Sequence, residues 1–288
     1  MKTDTQRAFR FLFIVVGVLL IIFAALYTWQ ILPRSWSGKS ALSLNNLRLV
    51  EYDGGPINTK PYQPGDDLYL SVDVSNLPKG ADGRSKATIA FEPLDPEGRA
   101  IVHPVESAVR VAEREVHVPF HVTVPLYAVG GVHTIRVSVV DQVRDEKIAA
   151  TVNFQVAGPG VAQDAAFGVQ DHAFVQFDGG PALSEASYAA DSKLRTRLNV
   201  VGFRMTGQNH VSVRVDLGIL SAADDSLLDQ PNVVAIDQDF FYPPVYIPIT
   251  TSVKIPDGMP SGTYRVRYVL HDDVSGRTLN IEEPFTIR

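Results

Sequence analysis

The chain has 288 residues, 45% apolar and 20% charged, with a formal charge of −6 and no cysteine. That composition excludes wholesale disorder, and the missing cysteines exclude disulfides, thiolate metal sites, a lipid-bearing cysteine and a cysteine nucleophile in one step. Lys2, Arg7 and Arg10 against Asp4 make the first 33 residues +2, which leaves −8 for the rest and argues against nucleic acid as a partner.

Residues 1–10 are short, polar and basic. They lead into Phe11–Leu32, 22 consecutive residues without a charge. As a helix this stretch is about 33 Å long, enough to cross a hydrocarbon core of about 30 Å. The expectation is a transmembrane helix over 11–32 held in the lipid bilayer. Arg7 and Arg10 mark its cytoplasmic interface, and Tyr27 and Trp29 sit where aromatic rings favour the opposite headgroup layer. A cleaved signal peptide is the competing reading, but its apolar core is usually shorter and ends on small residues. Here Leu26, Tyr27, Trp29 and Ile31 fill that place.

Residues 33–44 read as a polar linker, and beyond it the pattern turns to period two. Leu68, Leu70, Val72 and Val74 alternate with Tyr69, Ser71, Asp73 and Ser75. Val116, Val118, Phe120, Val122 and Val124 behave alike, as do Val211, Val213 and Val215. Such alternation predicts strands with one face in a core and one in water. Turn signals such as Pro64-Gly65, Pro96-Glu97-Gly98 and Pro256-Asp257-Gly258 separate the runs, and no helical period appears beyond Leu32.

An internal repeat organises these strands. Tyr52-Asp53-Gly54-Gly55-Pro56 recurs as Phe177-Asp178-Gly179-Gly180-Pro181, and Tyr62 and Leu68 recur as Tyr188 and Leu194. Residues 116–156 then align without a gap onto 247–287, pairing Gly131 with Gly262, Arg136 with Arg267, Asp141 with Asp272 and Phe154 with Phe285. Two copies of one module follow, over 45–157 and 165–288, with a small insertion inside the second. Each carries Gly-x-(His/Tyr)-x-x-Arg and then Asp: Gly131, His133, Arg136 and Asp141, then Gly262, Tyr264, Arg267 and Asp272. This resembles the immunoglobulin-like modules of bacterial secreted and cell-surface proteins. The resemblance implies tandem seven-stranded β-sandwiches and no particular activity. The expected fold class is therefore an all-β ectodomain of two such sandwiches preceded by one transmembrane α-helix.

Little points to chemistry. The repeated Asp-Gly-Gly-Pro fits a tight corner better than a ligand loop. His117 and His121 share a strand face but stand about 13 Å apart, too far for one zinc ion. His271-Asp272-Asp273 and Asp237-x-Asp239 are the best oxygen-rich clusters for calcium, without the spacing of a calcium loop. No Gly-x-Ser-x-Gly elbow, phosphate-binding loop, dinucleotide fingerprint or His-Glu-x-x-His is present. Neither an enzyme nor a cofactor is expected.

The most distinctive segment is Phe240-Phe241-Tyr242-Pro243-Pro244-Val245-Tyr246, beside the insertion and without a counterpart in the first copy. Phe240, Phe241, Tyr242 and Tyr246 are candidate partner-binding residues, since aromatic rings anchor interfaces. The alternative is that these rings complete the module's own core. The leading functional expectation is a non-catalytic accessory subunit in the bacterial cytoplasmic membrane. Its N-terminus would lie in the cytoplasm and its bulk in the periplasm, bracing membrane protein subunits. A respiratory or photosynthetic electron-transfer assembly is one such complex, though no haem, iron–sulfur or chlorophyll motif supports it. A membrane-anchored receptor or adhesion module for a soluble ligand or envelope polymer is the second expectation. A hydrolase built from loops is a distant third.

Overall fold

Alternating apolar and polar residues give a strand one dry face, and two such faces bury each other only by stacking sheets. A computed structural model of the chain describes residues 42–162 and 164–288. The first half holds β1 (Ser43–Val50), β2 (Asp67–Ser75), β3 (Ser85–Leu94), β4 (Val105–Val111), β5 (Glu115–Thr123), β6 (Gly131–Asp141) and β7 (Lys147–Val156). The second holds β8 (Gly168–Val175), β9 (Ser187–Tyr188), β10 (Lys193–Val201), β11 (His210–Leu220), β12 (Ser226–Asp239), β13 (Tyr246–Lys254), β14 (Gly262–Asp272) and β15 (Arg277–Ile287). The break between halves, from Val156 to Gly168, contains Gly158, Pro159 and Gly160.

The first half stacks a sheet of order β1-β2-β5 on one of order β4-β3-β6-β7; the second stacks β13-β10-β8 on β12-β11-β14-β15-β9. Ladders are antiparallel except where β9 runs parallel beside β15. β4 pairs with β3 and β12 with β11, so each joins the sheet that holds the last two strands of its half.

The fold class needs one correction. Among the described residues every regular element is a strand, so the fold observed is all-β and includes no transmembrane α-helix. The stretch 11–32, with Arg7, Arg10, Tyr27 and Trp29, lies outside the described residues.

Register shows how closely the halves correspond. Leu68 pairs with Val122, and Leu194 with Val253; Ile89 pairs with Val139, and Val215 with Leu270; Val139 faces Ile148, and Leu270 faces Leu279. The Asp-Gly-Gly-Pro corners match in their bonds: Gly55 N–H donates to Tyr52 O at 2.8 Å and Gly180 N–H to Phe177 O at 2.9 Å. Gly54 and Gly179 have φ of 73° and 75°, a region costly for any residue with a Cβ. Asp141 accepts the amides of Val143 and Arg144 at 2.9 and 3.1 Å. Asp272 likewise accepts those of Ser275 and Arg204 at 3.2 and 3.0 Å. Both carboxylates therefore fix the turn after a late strand.

The two cores are filled by different means. In the first, the Phe120 ring stacks on Phe91 with centroids 4.6 Å apart, and Leu70 faces it across the ladder. In the second, the places of Leu70 and Phe120 are taken by Thr196 and Thr251, and the large ring comes from Tyr268 on β14. The Tyr268 hydroxyl donates to Thr196 Oγ1 at 2.6 Å, and Thr196 and Thr251 lie 2.8 Å apart, so the buried oxygens are satisfied. Burial raises the Tyr268 phenol well above its ordinary pKa.

Candidate functional site: the seam between the two halves

The β12–β13 hairpin is where the second half departs from the first. Val111 is the counterpart of Gln238 and Val116 of Ile247, by their places in the ladders. The first pair of positions is five residues apart and the second nine, so the hairpin tip gains four residues. Those residues belong to the aromatic run, and the longer tip reaches the loops of the first half.

Tyr242 is 1% exposed and belongs to the core of the first half, not its own. Its hydroxyl donates to Asp95 Oδ2 at 3.1 Å. Asp95 opens the Asp95-Pro96-Glu97-Gly98 turn after β3, and its carboxylate also accepts the amides of Glu97 and Arg99 at 2.9 and 2.8 Å. The Arg99 guanidinium bonds the same carboxylate at 2.7 Å through both Nε and Nη2, and lies over the Tyr242 ring at 5.6 Å from its centroid. Burial pushes the Asp95 carboxyl up, yet the amide and guanidinium of Arg99 outweigh it and hold the group below its ordinary value. Tyr242 is raised, first by burial and then by the Asp95 charge. At neutral pH the trio is an anion, a cation and a neutral phenol, each satisfied.

Tyr246, 2% exposed, makes a second tie. Its hydroxyl lies 3.0 Å from Leu126 O and 3.1 Å from Ala128 O, so one proton is shared between two carbonyls of the β5–β6 loop. Burial raises this phenol as well. Tyr127 packs between the ties, edge-on to Phe240 at 5.0 Å and stacked on Tyr242 at 5.9 Å. Phe240 also packs on the core of the second half. Phe241 is different: it touches the His103 ring at 3.8 Å but stays 44% exposed. With Ile101, Val102, Leu126 and Tyr127 it lines an open apolar groove of about 350 Å³, where Leu126 is 62% exposed.

Of the four rings singled out in the sequence, Tyr242 thus packs in the core of the first half and Tyr246 bonds two of its carbonyls. Both bind the other half of the same chain. The first-half residues that receive the aromatic run (Asp95, Arg99, His103, Leu126, Tyr127 and Ala128) carry no motif. The sequence signals were the unmatched aromatic run and the insertion beside it.

The remaining candidates disperse. His117 Nδ1 lies 2.8 Å from Asp73, which raises the imidazole pKa, and His121 Nε2 lies 3.1 Å from Asp67. Asp237 and Asp239 both turn to His210, at 3.0 and 2.8 Å. His271 faces Asp216 at 2.9 Å, whereas Asp273 pairs with Arg214 at 2.6 Å and Asp272 is spent on its turn. Among the described residues no three histidines or carboxylates converge to hold a metal ion. The chain matches no known family model, and no curated protein matches it.

Proposed function

We propose that the chain is a non-catalytic accessory subunit of a membrane protein complex, its two sandwiches acting as one brace on the periplasmic side. One observation carries this reading: a hairpin extension present in only one copy is buried in the other, through a satisfied Tyr242–Asp95–Arg99 trio. Residues spent on joining two modules suit a part whose task is to hold position. The uncharged stretch 11–32 is the sequence reason to seat the assembly at a membrane. Phe241 and Leu126 are the exposed apolar side chains left at the seam, suited to an apolar segment of a neighbouring subunit.

Gentle detergent extraction followed by native mass measurement tests the reading. Comigration with a stoichiometric membrane subunit, lost in a folded Phe241→Ser protein, is the expected result. A lone chain that captures a soluble polysaccharide or peptide would replace it with the receptor reading.

A further inference from the structure

Away from the seam, the second half has a cavity of about 640 Å³ where β9 meets β15 and the start of β10. Tyr188 lines it, with its hydroxyl turned to Arg195 O at 3.3 Å. Its charged lining is Lys193, Arg195 and Arg288 against Glu185 alone. Three cations meet in a region that is acidic as a whole.

The first half has the same corner. The Ala157 amide donates to Tyr62 O and the Arg288 amide to Tyr188 O, at 2.8 and 2.9 Å. Asp66 N–H donates to Gln63 O and Ser192 N–H to Ala189 O; Val124 N–H donates to Asp66 O and Ile255 N–H to Ser192 O. These bonds make Asp67 the counterpart of Lys193, Tyr69 of Arg195, Ala157 of Arg288 and Glu51 of Gln176. The first-half corner therefore carries Glu51, Asp66 and Asp67 against Lys60 alone. One backbone supports either sign, so turn geometry does not demand the cations of the second half.

We propose that this cavity binds a small ligand through an oxyanion group, a phosphate or a carboxylate, held by Lys193, Arg195 and Arg288. The volume suits a ligand of metabolite or sugar size. Guanidinium forks match such groups in two-point contact, and lysine adds a point charge. The side chains are not equally free. Arg195 Nη1 donates to Gln176 O at 3.1 Å and its Nε lies 3.8 Å from Asp178, while Arg288 Nε donates to Ser187 Oγ. Those contacts orient the two forks, and Lys193 makes no ion pair among the described residues. The inference is independent of the bracing role, since it uses no seam residue.

Calorimetric titration of the full chain with inorganic phosphate and, separately, with citrate tests it, at low salt and again at about 0.15 M where exposed charges are screened beyond roughly 8 Å. At least one probe should bind, more weakly at the higher salt. Phosphate alone would mark a phosphorylated ligand and citrate alone a carboxylated one. Lys193→Asp, which installs the first half's residue, should weaken binding about tenfold or more, the loss expected for one charge-assisted contact. Asp67→Lys in the other corner should leave it unchanged. Should Lys193→Asp unfold, Lys193→Gln with an unchanged melting curve serves instead. Binding of neither probe, or binding indifferent to a folded Lys193 variant, overturns the proposal.

Discussion

The β4–β5 hairpin of the first half and the β12–β13 hairpin of the second leave matching ladders and meet different fates. The first turns through Ala112, Glu113 and Arg114 and ends exposed. The second carries four more residues and ends in the core of its neighbour, with Tyr242 and Tyr246 almost wholly buried. The cationic and acidic corners repeat the lesson on the surface. Where two copies keep one backbone, positions that diverge in character are not held by the fold and are free to serve a contact. Divergence inside the core reads differently: Phe120 gives way to Thr251 while Val137 gives way to Tyr268, and the same space stays filled.

Substitutions that remove the contrast should rank accordingly. Tyr242→Ala should cost most, about 4 kcal/mol, because it empties a ring-sized site and strips Asp95 of a donor. Urea unfolding followed by circular dichroism measures it. Asp95→Ala should follow at about 3 kcal/mol, since it strips two turn amides and the Tyr242 hydroxyl of their acceptor and leaves the Arg99 guanidinium with Glu97, 3.2 Å away. At the tip of the first half, Arg114→Ala should stay within about 0.5 kcal/mol, as its side chain is exposed. Equal losses at Arg114 and Tyr242 would erase the distinction between the two tips.

Acid should weaken both halves, less than the core substitutions do. His133 on β6 and His172 on β8 are held below the ordinary imidazole pKa, in both cases chiefly by burial. Their folded forms bind fewer protons than the unfolded chain, so their contribution is complete above about pH 6.5 and is lost as pH falls from there through the folded values. His117 acts in reverse: Asp73 raises it, so its contribution is present below about pH 6.5 and lost as pH rises through its folded value. It is half exposed, and screening makes its share the smaller. The urea midpoint should therefore fall between pH 7 and pH 5. A midpoint that rose instead would place the buried imidazoles in the wrong protonation state.

Much of the architecture was legible because period two is local: β2, β5 and β11 each announce themselves through three to five residues. β12 was not, since Pro231 interrupts its run and most of its side chains face water. The seam was half legible. The unmatched aromatic run stood out, but its receivers Asp95 and Ala128 are 147 and 118 residues away, beyond any periodicity. The cationic corner was hidden for a like reason, as Arg288 comes beside Ser187 only through the parallel β9–β15 pairing. The expected transmembrane helix concerns residues outside those described, and the all-β character stands without it.

The central claim is that the hairpin tip makes the two sandwiches a single cooperative body. Scanning calorimetry of the full chain and of its Tyr242→Ala, Tyr246→Ala double variant tests it most directly. One transition in the parent, separating into two in the variant, is the predicted result. Two transitions already present in the parent and unmoved by the substitutions would contradict it.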